Sequence, residues 1–112
     1  MVEAGPQVRG FAVGDEVLGF THNRASHAEF VVVDDVDVVS RPVGLSWGVA
    51  GSLYVAGTTA YATVFAVDPG PADTVVVSGA AGGVGSLAVQ LARRRGATVI
   101  GLASEPRLQP SW

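Results

Sequence analysis

The sequence predicts an α/β fold organised around a β-α-β unit over residues 74–102. Three observations predict it. Val75, Val76 and Val77 are β-branched and consecutive, the composition of a strand buried on both faces of a parallel sheet. A glycine cluster, Gly79-Ala-Ala-Gly-Gly-Val-Gly85, follows at once. Val84, Leu87, Ala88, Leu91 and Ala92 then recur at helical spacing, so one apolar face packs back on the sheet. Arg93 to Arg95 suit the negative end of that helix and Gly96 its C′ position. Thr98 to Leu102 resumes a buried strand.

The elements before this unit follow in order. Gly5-Pro6 and Gly10 punctuate residues 3–13, which read as a strand end followed by turns. Gly14-Asp15 predicts a turn ahead of a short strand, Glu16 to Phe20, and Asp15 and Glu16 read as solvated carboxylates without chemistry. Ala28 to Val33 predicts a second strand with His27 at its start, and Val36 to Ser40 leads out of it. Ser46 is a good N-cap for a short helix through Ala50. A longer helix is expected from about Leu53 to Val67, with Leu53, Ala56, Ala60, Val64 and Val67 on one side. Asp68-Pro-Gly-Pro-Ala-Asp73 is the loop into the first strand of the β-α-β unit.

Composition excludes several classes. At 112 residues the chain is one domain's worth at most. A net charge of −3 argues against a nucleic-acid surface, and the one basic run lies at a helix end. No cysteine means no disulfide and no thiolate chemistry, compatible with a cytoplasmic protein. The first residues lack the basic and apolar regions of a signal peptide. Residues 42–67 are uncharged and long enough to span a bilayer, but four glycines and many Ser and Thr favour helices buried in a soluble core. His22, His27 and Glu29 are the candidates for a metal site. Two histidines five apart match neither one helix face nor a zinc loop, so no metal is expected. Asp34, Asp35 and Asp37 read as an exposed acidic turn.

The glycine cluster is where chemistry is expected. The first N–H groups of a helix lack intrahelical partners and carry partial positive charge, which favours a phosphate. Gly82 and Gly83 remove side chains that would hold a pyrophosphate off the backbone, and Gly85 lets helix and strand approach closely. The pattern G-x-G-x-x-G is met as Ala80-x-Gly82-x-x-Gly85, with Ala in the first position. A Walker-type loop is excluded, because it needs a lysine and the chain has none. Ala81, Gly82, Gly83, Val84 and Gly85 are therefore the candidate dinucleotide cradle. After the second strand, Ala103 and Ser104 leave room for a ribose 2′-phosphate that Arg107 could pair with, which favours NADP(H) over NAD. Glu105 is the contrary sign, since a longer strand would make it the ribose acid.

The same residues carry a family resemblance. Val76-Val-Ser-Gly-Ala-Ala-Gly-Gly-Val-Gly-Ser-Leu-Ala-Val-Gln-Leu-Ala92 resembles the cofactor loop of medium-chain dehydrogenases/reductases, in the zinc-independent quinone oxidoreductase branch. Phe11-Ala-Val-Gly-Asp-Glu-Val-Leu-Gly-Phe20, Ser26-His-Ala-Glu-Phe30 and Ala56-Gly-Thr-Thr-Ala-Tyr61 resemble that branch in the same order. The resemblance implies part of a GroES-like β domain followed by the first β-α-β unit of a Rossmann dinucleotide-binding domain, truncated at both ends. It divides the chain into a partial catalytic domain (1–45), connecting helices and loop (46–73), a partial NADP-binding domain (74–104) and an unmatched tail (105–112). It implies hydride transfer from NADPH to a quinone, enone or other small carbonyl compound, in the cytoplasm, and it allows a homo-oligomer. It also places Thr58, Thr59 and Tyr61 near the nicotinamide; a core aromatic is the other reading of Tyr61. No residue is assigned as the catalytic proton donor. Two rival readings are an inactive remnant or partner-dependent fragment, and a small membrane protein spanning at 42–67.

Overall fold

The computed structural model describes residues 1–104, which fall in two compact units, Met1–Tyr54 and the part of the chain from Val55 onward. Arg107 and Glu105 lie outside the described residues.

The first unit holds a two-stranded antiparallel ladder, β1 (Val17–Gly19) against β2 (Val38–Ser40), with Leu18 opposite Val39. A 3-10 turn over Asp35–Asp37 feeds β2. Gly19 is where the ladder leaves no room: a Cβ there would run into the Asp37 carbonyl oxygen and lie 2.8 Å from Val38 Cγ1. Asp15 proves to be structural, since its carboxylate accepts from the Ala12 N–H at 2.8 Å and closes the turn at Gly14. Arg41 is the hub after β2. Its guanidinium pairs with Glu16, donates to the Leu45 carbonyl and lies 4.6 Å from the centre of the Trp47 ring.

The strand expected over 28–33 is not formed. The segment is β-branched and apolar, but a strand exists only through pairing. Among the described residues no strand pairs with it, and Val32 is 91% exposed. His27 therefore sits in an irregular exposed stretch rather than at a strand start.

The two helices expected over 46–67 are one, α1 (Trp47–Val67), which begins in the first unit and ends in the second. Ser46 does cap it, accepting from the Val49 N–H at 3.4 Å. Residues 51 and 52, between the two expected helices, are helical as well, and the polar side chains of α1 bond within it. Ser52 donates to the Val49 carbonyl, Thr58 to Val55 and Thr63 to Thr59. The helix stops at Asp68, which has φ +49°, followed by Pro69. By length and composition alone α1 could cross a membrane. Its Ala60 and Val64 are packed in the core of the second unit. Only 17% of its apolar stretch is buried, however, and Val67 is exposed, so the expectation of a helix buried in a core is corrected.

That second unit is the β-α-β: β3 (Thr74–Ser78), α2 (Gly83–Arg94) and β4 (Thr98–Leu102), with β3 and β4 parallel and Val76 opposite Ile100. The core is Ala60 and Val64 of α1 with Ala88 and Ala92 of α2, closed by Val77, Leu87, Leu91 and Val99. Successive strand side chains alternate between faces. Val77 and Val99 thus face the helices, whereas Val76, 59% exposed, and Ile100 face the other way. The expectation of a strand buried on both faces is therefore corrected: among the described residues helices cover one face only. The end of α2 is a Schellman motif, with Gly96 N–H bonded to the Arg93 carbonyl and Ala97 N–H to Ala92, and Gly96 at φ +92°. Arg95 then clamps the loop before β3 through Asp68 and the Pro69 carbonyl.

Candidate functional site

The site begins where β3 ends. Gly79 has φ +68°, a conformation open to glycine, and turns the chain out of the sheet. The Gly82 N–H returns to the Gly79 carbonyl at 2.9 Å, and the Ala80 N–H donates to Leu102 of β4 at 3.0 Å. Gly82 is then the extended N-cap of α2, with no side chain to fill the cap, so the first turn of the helix presents bare backbone N–H groups.

Each glycine has its own reason to be there. A Cβ on Gly85 would run into the Gly79 carbonyl oxygen, 2.8 Å from its carbon and 3.0 Å from Ala80 Cα, so α2 lies directly against the turn. A Cβ on Gly82 would sit 3.2 Å from the same oxygen. Gly83 differs: a Cβ there meets nothing within 4 Å. Its bare face is open space at the positive end of a helix, a cradle suited to a pyrophosphate. The close approach expected of Gly85 is seen. The tight turn falls to Gly79 and not to position 80, a role outside the motif; its signal was a glycine directly after the strand's last residue, Ser78.

A groove of about 460 Å³ opens beside the turn, bordered by Gly79, Gly82, Val84 and Gly85, by Val75 to Val77 of β3, and by Thr63, Val64 and Val67 of α1. Val84 is 39% exposed at its rim. Thr59 lies on the exposed side of α1, one turn before Thr63, and it is Thr63 that borders the groove. Tyr61 is 60% exposed and stacked on Phe65, which removes its reading as a core aromatic. Ser104, exposed, follows the end of β4, two residues beyond the Leu102 carbonyl that accepts from the Ala80 N–H. The histidines stay apart from all of this in sequence and unit: His22 pairs with Asp37 at 3.0 Å within the first unit. No group of three or more metal-ligating side chains occurs among the described residues.

Known proteins share this arrangement. No family model matches the chain. A zinc-type alcohol dehydrogenase-like protein of Staphylococcus aureus is 40% identical over 92% of this chain and 34% of its own length. The quinone oxidoreductase of Coxiella burnetii superposes with a TM-score of 0.86 at 34% identity, over 93% of this chain and 34% of that one. The chain belongs to the medium-chain dehydrogenase/reductase superfamily. It spans about a third of the length of these members, 34% in both cases. The Thermus thermophilus quinone oxidoreductase, solved also in complex with NADPH, matches 68% of this chain and 26% of its own at 37% identity and a TM-score of 0.63. As a medium-chain dehydrogenase/reductase chain, it has the α/β class and the β-α-β order that its sequence predicts.

Proposed function

We propose that this chain supplies the pyrophosphate-binding half of an NADP(H)-dependent oxidoreductase that reduces a small quinone, enone or other carbonyl compound. The observation that carries the reading is the bare Gly83 position at the start of α2, where a Cβ would meet nothing within 4 Å. A dinucleotide fits there by charge and by space. Ala81, Gly82, Gly83, Val84 and Gly85 would hold the pyrophosphate, and Ser104 with Arg107 the 2′-phosphate. Thr59 is assigned to the nicotinamide side, with Thr63 nearer the groove. When bound, the nicotinamide supplies the hydride; the chain's own part is to orient it and to keep the pyrophosphate on backbone donors. The complex of the Thermus neighbour with NADPH supports this cofactor.

On this reading residues 1–45 belong to the catalytic part, 46–73 connect, and 74–104 bind the cofactor. A cytoplasmic location and a homo-oligomer go with it. Titration of the purified chain with NADPH and NADH, followed by nicotinamide fluorescence, tests it: saturable binding with NADPH the tighter ligand is expected, and no binding of either overturns it.

A second reading has its own observation. Among the described residues β3 and β4 pair only with each other, and a two-stranded sheet is marginal alone. The chain would then be a fragment that needs a partner along its open sheet edges, and it would unfold with poor cooperativity and ignore nucleotide.

A further inference from the structure

Two departures from pattern in the second unit explain one another. The first position of the glycine motif is Ala80, a methyl where glycine is usual, and β4 carries Gly101 in its interior, where glycine weakens a strand. A Cβ built on Gly101 would lie 2.9 Å from Ala80 Cβ, well inside the ordinary carbon–carbon separation of about 3.5–4.0 Å. Neither methyl has a rotamer with which to escape. The turn cannot simply back away either, because the Ala80 N–H is bonded to the Leu102 carbonyl at 3.0 Å. The space beside Gly101 is therefore the space that Ala80 fills.

We propose that Ala80 and Gly101 form a size-matched pair that sets the distance between the glycine turn and the end of β4. That distance separates the pyrophosphate cradle at Gly82–Gly85 from Ser104 at the ribose end. Gly101 is thus a positioning residue, acting through Ala80, and this rests on the nucleotide reading above. NADPH is held at both ends, so it feels the spacing; NADH lacks the phosphate at the ribose end and feels it less.

The test is direct titration of NADPH and NADH into the full chain as wild type, Gly101→Ala, Ala80→Gly and the double variant. Gly101→Ala should weaken NADPH by about tenfold, and NADH by less. The double variant, which moves the methyl from one side of the contact to the other, should recover NADPH affinity to within about threefold of wild type. Far-UV circular dichroism of each variant reports folding. Should Gly101→Ala fail to fold, recovery of both folding and binding in the double variant supports the pair. Wild-type affinity in Gly101→Ala, equal losses for both nucleotides, or a double variant no better than the single one would each overturn it. A wild-type chain that binds neither nucleotide overturns the cofactor reading itself, a result distinct from all of these.

Discussion

Replacing Gly85 by alanine puts the packing of the glycine turn to a quantitative test. The new Cβ would meet the Gly79 carbonyl oxygen and lie 2.8 Å from the Gly79 carbon and 3.0 Å from Ala80 Cα. All three are backbone atoms, so no side chain can rotate away, and either α2 or the turn must shift. Overpacking of this kind costs about 1–3 kcal/mol. Alanine in a helix gains up to about 1 kcal/mol over glycine, which offsets part of that cost. Gly83→Ala is the control, because it receives whatever propensity gain the first turn allows and its Cβ meets nothing within 4 Å. The gap between the two variants isolates the clash at about 1–3 kcal/mol, or roughly 5–15 °C in Tm for a domain of this size. Thermal unfolding followed at 222 nm reads it directly. A Gly85→Ala chain melting at or above Gly83→Ala would refute the claim that α2 is seated against the turn.

Two further outcomes follow from helix ends. Gly96→Ala forces a left-handed φ of +92° on a residue with a Cβ, which would also come within 3.0 Å of Pro71 Cγ; denaturant unfolding should show a loss of about 1–2 kcal/mol. Ser46→Ala removes the oxygen that accepts from Val49 N–H, so hydrogen exchange should rise in the first turn of α1, with a cost of about 0.5–1 kcal/mol.

What could be read from the sequence was what depends on local pattern. The helical spacing of Leu87, Ala88, Leu91 and Ala92 put α2 where it is, and Ala88 and Ala92 are buried as that spacing requires. Gly96 was legible as a C′ residue because the arginines before it and the strand after it left it one role. Residues 28–33 were not legible, because their pairing depends on a neighbour far away in sequence. Val76 was misread for the same reason: three valines in a row cannot say whether a second layer covers them. Residues 51 and 52 read as the gap between two helices, yet α1 runs through them, since a glycine costs a helix interior only about 1 kcal/mol. At the site, the sign of a backbone angle is not written in a motif. Gly79, rather than position 80, takes the positive φ, and only the structure separates Gly83, which faces open space, from Gly82 and Gly85, which do not.

That separation makes the decisive variant Gly83→Asp. Its side chain enters open space, so the fold is kept, and a carboxylate in the first turn of α2 stabilises the helix by about 0.3–1 kcal/mol. The same carboxylate would repel a pyrophosphate. The measurement is the melting temperature of wild type and Gly83→Asp, each alone, with NADPH and with NADH. Ligand at about a hundred times its Kd adds about 2.7 kcal/mol to the native state. The expected result is a wild-type midpoint that rises more with NADPH than with NADH, and a Gly83→Asp midpoint at or above the unliganded wild type that neither nucleotide moves. A cooperative wild-type transition indifferent to both nucleotides, or a Gly83→Asp chain that responds as wild type does, would contradict a pyrophosphate site at the start of α2.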